Sequence, residues 1–166
     1  MSQLVALSLS IGVLGGVATF IFLQFMPSYL IWAAFIAWAC YFATGGNTDA
    51  LKKTITCNIF GAFCAWVGAL LLTSAPAGAA MAGVIVGATV LALCLGAHIK
   101  ALDSIPASVY GYASVFAFML GKGGLTKEAL LSPSPANALV AVAASMVVGA
   151  LFGLASGKLA GALTKK

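Results

Sequence analysis

The first charged side chain in this sequence is Asp49, and no other charge intervenes between Lys53 and Lys100. A water-soluble domain devotes roughly a quarter of its residues to Asp, Glu, Lys and Arg. Here they make up 7%, against 63% hydrophobic residues. So little charge cannot keep a folded surface in water, and the long uncharged runs require a nonpolar solvent. Strands of a membrane barrel would alternate apolar and polar positions, and no such alternation occurs. The chain is expected to be an all-α integral membrane protein.

A hydrocarbon core of about 30 Å takes about 20 residues of helix to cross. Six apolar runs fit that need: approximately Leu4–Phe25, Ser28–Thr44, Thr54–Thr73, Gly78–Ile99, Ser104–Leu120 and Ala136–Ser156. They are separated by Pro27, GGNTD, SAPAG, the polar HIKALDS and SPSP. The opening run lacks a basic leader and exceeds the apolar core of a signal peptide, so it is expected to be a retained first span. We expect a single transmembrane domain over 1–166. With the N-terminus inside, Lys52, Lys53, Lys100, Lys158, Lys165 and Lys166 share one side, opposed by Lys122 and Lys127. The positive-inside rule then puts both termini in the cytoplasm. Lysines scattered at segment ends, without arginine, do not make the basic face that nucleic acid requires, so no nucleic-acid partner is expected.

Two stretches share one pattern. MPSYLIWAAFIAWACYFATGG (26–46) and IPASVYGYASVFAFMLGKGG (105–124) each open on an apolar residue and proline, continue through aromatics and close on a double glycine. At one common offset, without a gap, Pro27 meets Pro106, Gly45 meets Gly124, Asp49 meets Glu128 and Asn58 meets Asn137. This predicts two three-helix repeats, about 1–75 and about 76–166. An odd number of spans per unit inverts the second relative to the first, and inverted repeats place their site where the units meet, at short or Gly/Pro-interrupted segments. The second and fifth spans are the short ones. The fifth has about 14 apolar residues after Pro106, roughly 21 Å of helix. Whether these two cross fully or are re-entrant is open from the sequence.

Asn58 and Asn137 are the first candidates for a functional site. An unpaired amide in hydrocarbon costs several kcal/mol, so each needs a partner. That partner is either a polar solute in a path or, alternatively, a helix end or a neighbouring helix. Trp32, Phe35, Trp38, Tyr110, Tyr112 and Phe116 crowd the two short spans, where they either narrow a path or meet lipid and a neighbouring subunit. Rows of small residues, including Ser8, Gly12 and Gly16, Ala79, Gly83 and Gly87, and Ala141 to Gly157, suit close helix packing. Weakly charged faces allow a homo-oligomer, a trimer or a dimer.

His98, the lone histidine, stands at the end of the fourth span as either a hydrated interfacial group or a pH sensor. Cys40, Cys57, Cys64 and Cys94 lie in apolar runs without metal-ligand spacing and suit small buried hydrophobes. HExxH, GxSxG and phosphate-loop motifs are absent. No enzymatic activity, cofactor or metal is expected. Asp49, Asp103 and Glu128 are expected in loops, and coupled transporters usually hold acids within the membrane, so passive passage is favoured.

The early GVLGG, the WAAFIAW stretch, the GGN turn leading to KKT and the IPAS start of the fifth run together resemble the YcdZ-like family of small bacterial inner-membrane proteins of unknown function. The resemblance extends over the whole chain and implies a bacterial plasma-membrane location, with no activity or site residues to transfer. Inverted three-span repeats are also similar in architecture to aquaporins, but the paired NPA motifs are absent: Asn58 precedes Ile-Phe and Asn137 precedes Ala-Leu. The expected function is a channel or facilitator for a small uncharged polar solute of the urea, ammonia or amide type. The alternatives are a coupled secondary transporter using His98, Asp103 or Asp49, and a structural membrane subunit.

Overall fold

The computed structural model describes residues 1–74, 78–121 and 125–164. The centre of the SAPAG break, Lys122 with the second double glycine at 123–124, and the terminal Lys165 and Lys166 lie outside the described residues. Among the described residues the secondary structure is entirely helical. The α-helices are α1 (Gln3–Phe25), α2 (Ile31–Ala43), α3 (Thr48–Ser74), α4 (Ala79–Leu95), α5 (Ile105–Gly121), the short α6 (Lys127–Leu131) and α7 (Ala138–Thr164).

Local chemistry explains the boundaries. The Ser2 hydroxyl accepts from the Val5 amide at 3.4 Å and starts α1. After α2 the chain turns through Gly45 (φ 120°) and Gly46 (φ 64°), a left-handed backbone that glycine adopts without strain. The Tyr41 hydroxyl donates to the Gly46 carbonyl at 2.7 Å and closes this turn. The Asn47 Oδ1 then accepts from the Ala50 amide at 2.8 Å, a side-chain cap for α3. Pro106 sits in the first turn of α5, where a missing amide hydrogen costs nothing.

Four helices are long and apolar enough to cross a membrane: α1, α3, α4 with its extension to His98, and α7. The helix boundaries lie within a few residues of the apolar runs read from the sequence, with three departures, one being α7, which continues to Thr164, eight residues past Ser156. The third helix begins at Thr48 and takes in Asp49, Lys52 and Lys53. The segment after α5 contains α6, so Glu128 as well as Asp49 is helical, leaving Asp103 as the acid that stands between helices. α2 and α5 are the short helices, with 13 and 17 residues. At about 1.5 Å per residue they extend roughly 20 and 26 Å, less than the hydrocarbon thickness.

α3 and α7 form the centre. In each, 44% of the apolar window is buried, against 17% for α1 and 11% for α4. α3 packs on α5, α4, α2 and α7; α7 packs on α2, α1, α5 and α3. Absent side chains make this packing possible. A Cβ on Gly61 would collide with the Ser108 carbonyl, one on Gly111 with the Asn58 carbonyl, and one on Gly149 with the Ala34 carbonyl. By contrast, Gly12, Gly16, Gly83 and Gly87 face open space. The small-residue rows thus divide: those on the central and short helices make contacts within the chain, and those on α1 and α4 do not.

Candidate functional site

Where α3 meets α5, two backbones approach over Gly61 and Gly111, and the polar side chains there have little room. Asn58 is 1% exposed, and neither its Oδ1 nor its Nδ2 has a hydrogen-bond partner. Ser108, on the facing turn of α5, is fully buried and its hydroxyl is likewise unpartnered, as is that of Ser114 further along α5. An amide and two hydroxyls are thus held without protein partners in an otherwise apolar interior. Buried polar groups are nearly always satisfied, and each orphan costs about 1–3 kcal/mol. Ser108 and Ser114 were not singled out by sequence reasoning. A serine in an alanine-rich helix gives no signal of its own until the facing helix is known.

Other buried polar groups of the core are satisfied, which sets this group apart. The Ser145 hydroxyl accepts from the Leu30 amide and donates to the Ala141 carbonyl. The Thr44 and Thr54 hydroxyls meet at 3.1 Å.

Asn137 is placed differently. Its Nδ2 donates to the Leu130 carbonyl at 2.7 Å and the Ser132 carbonyl at 3.1 Å, while its Oδ1 accepts from the Leu139 amide at 2.9 Å. It caps α7 and ties that helix to the end of α6. Asn58 lies well inside α3, whereas Asn137 stands immediately before α7. The ungapped offset that pairs them in the sequence therefore joins residues at different points of their helices. At that offset α6 falls on the first turns of α3, and the physical reason is the SPSP break that follows it, where Pro133 and Pro135 interrupt a helix that runs unbroken in α3.

The aromatics divide similarly. Trp38 is buried, stacks between Phe35 and Phe152 at 5.6 Å each, and donates from Nε1 to the Ser156 hydroxyl at 2.9 Å. The Tyr112 hydroxyl is buried against Thr89 Oγ1 at 2.8 Å, and its ring lies 5.2 Å from that of Phe116, which packs on the core. Phe35 and Tyr110 are exposed on the outside of the bundle. Trp32 lines a recess: with Leu30, Phe118 and Gly121 it borders a small cavity of about 110 Å³ between the start of α2 and the end of α5. A second, of about 390 Å³, lies beside it and shares Phe118, with Ser28, Thr126, Glu128 and Ser132 giving it a polar lining.

No group of three or more His, Cys, Asp or Glu side chains with a metal-binding arrangement occurs among the described residues. Cys40, Cys57 and Cys64 are buried free thiols. His98 is exposed in a single 3₁₀ turn after α4. Among the described residues, the buried side-chain atoms without partners are those of Asn58, Ser108 and Ser114, and no charged side chain is buried with them.

No curated protein and no solved structure matches the chain. A family model covers nearly all of it, from 8 to 161. The chain belongs to the family described as "Protein of unknown function (DUF1097)".

Proposed function

We propose that this protein is a passive membrane channel or facilitator for a small uncharged polar solute of the urea or short-amide type. The observation that carries the reading is the fully buried Asn58 amide with both polar atoms unpartnered. A solute leaving water must regain hydrogen bonds inside the membrane. An amide offers a donor and an acceptor together, and the neighbouring Ser108 hydroxyl offers either. A urea-like guest presents the complementary pair. The sequence from Ile55 to Ile99 carries no charged side chain to line an ion path.

The reading includes two inverted three-helix units, α1–α3 and α4–α7, with α6 and α7 together the counterpart of α3. In its favour, the main contacts of α1, α2 and α3 have counterparts when those helices are exchanged for α4, α5 and α7. α2 on α7 answers α5 on α3, α1 on α7 answers α4 on α3, and α2 on α3 answers α5 on α7. The short α2 and α5 then flank the shared centre, as inverted-repeat transporters arrange their interrupted segments. Trp32 and Phe118 would border the outer approach, with both termini in the cytoplasm of a bacterial plasma membrane.

The experiment is flux into liposomes containing the purified protein, followed by stopped-flow light scattering against urea, acetamide, glycerol and water. Fast, non-saturating uptake of one solute, abolished in Asn58→Leu, is the expected outcome. No flux above empty liposomes for any solute, or uptake that requires a proton gradient, overturns the reading.

A further inference from the structure

On the outer face of α3, away from Asn58, a charged recess and an apolar groove run into one another. The recess, of about 540 Å³, is lined by Asp49, Lys52, Lys53, Thr56, Lys100 and Asp103. The groove, of about 560 Å³, lies between α3 and the start of α7 and is lined by Ile59, Phe60, Phe63, Leu139, Val140 and Ala143. Thr56 borders both, so the two form one continuous surface along α3.

The recess is built, not a chance meeting of surface lysines. The Thr56 hydroxyl donates to the Ala101 carbonyl at 2.8 Å, and Lys53 Nζ pairs with Asp103 at 2.8 Å. Phe60 packs directly against Gly96, so closely that a side chain there would clash. These contacts fix the segment that carries Lys100 over the first turns of α3. With Lys53 and Asp103 engaged with each other, Lys52 and Lys100 face Asp49 alone, an excess of one positive charge. The amino end of α3 adds its own partial positive charge.

We infer that this surface is a binding site for an anionic phospholipid, its phosphate at Lys52 and Lys100 and an acyl chain in the groove beyond Thr56. The chemistry selects that occupant. Cationic recesses at the end of a transmembrane helix attract anionic headgroups. Ile59, Phe63 and Val140, each well exposed, offer nothing to a free anion but suit a hydrocarbon chain. The site is independent of solute passage, because its residues lie on the exposed side of α3 and Asn58 is enclosed on the other.

The test uses the full-length protein, delipidated in zwitterionic detergent, titrated with dioctanoyl phosphatidylglycerol, dioctanoyl phosphatidylcholine, glycerol 3-phosphate and inorganic phosphate. Phosphatidylglycerol should bind at least tenfold more tightly than phosphatidylcholine or either free phosphate. In the Lys52→Gln/Lys100→Gln variant its affinity should fall to that of phosphatidylcholine. These substitutions alter exposed side chains only, so helicity by circular dichroism should match the parent. Equal binding of the two lipids, retention of the preference in the variant, or a free phosphate binding as tightly as the lipid would overturn the inference.

Discussion

Replacing Asn58 by leucine should leave this protein about as stable while abolishing its function, a pairing that loss of a hydrogen-bonded core amide does not produce. Both amide atoms are buried without partners, and an unsatisfied buried polar group costs about 1–3 kcal/mol. Leucine shares asparagine's branch at Cγ but is the larger side chain, and overpacking a close-packed core costs about 1–3 kcal/mol. Shape matters here because the Asn58 carbonyl lies against Gly111, so the backbone cannot retreat to admit a larger group. The two contributions nearly cancel, so the net change should stay within about 1 kcal/mol. For a chain of this length Tm should then move by less than about 4 °C.

Far-UV circular dichroism during denaturation in mixed micelles measures the first effect, and the liposome assay measures the second on the same preparation. Ser108→Ala is the companion variant. It removes one unpartnered hydroxyl with almost no change in volume, and should be neutral or slightly stabilising. The reasoning is refuted if Asn58→Leu loses 1 kcal/mol or more, because an amide whose removal destabilises the fold has structural partners. If the variant keeps both its stability and full flux, the amide is unpaired but no solute uses it.

Two further substitutions test the packing and the second asparagine. Gly149→Ala drives a methyl into the Ala34 carbonyl and should cost about 3 kcal/mol, whereas Gly87→Ala, where a Cβ meets nothing, should gain up to about 1 kcal/mol from helix propensity; denaturant titration of both variants checks the contrast, and equal effects would contradict it. Asn137→Ala removes the side chain that bonds Leu130, Ser132 and Leu139 and should cost about 1 kcal/mol, as loss of a helix cap does. Flux per folded molecule should be unchanged, and selective loss of flux would restore Asn137 to the path.

The helices themselves were legible because an apolar run must be about as long as the bilayer is thick and its ends are punctuated. Pro27, the Gly45–Gly46 turn and Asn47 mark those ends in sequence and structure alike. The path from sequence to site was harder, for a reason visible in the two asparagines. In sequence they are equivalent: each is the rare polar residue near the start of an apolar run. What separates them is the neighbour each acquires. Asn137 lies next to a chain reversal that exposes the carbonyls of Leu130 and Ser132, and backbone satisfies its amide.

Asn58 has a helical backbone on every side that its own carbonyls and amides already satisfy, and it faces a glycine that brings α5 too close for a partner side chain to reach in. The glycines are therefore part of the site. By drawing α3 and α5 together at Gly61 and Gly111, they enclose a polar group that a looser interface would have left to another side chain. An amide held this way is destabilising for the fold, and under the proposed function a passing solute is what completes its hydrogen bonds. The same close contact fixes the amide in place, so the solute would meet a donor and an acceptor already oriented, with little further ordering of the protein required.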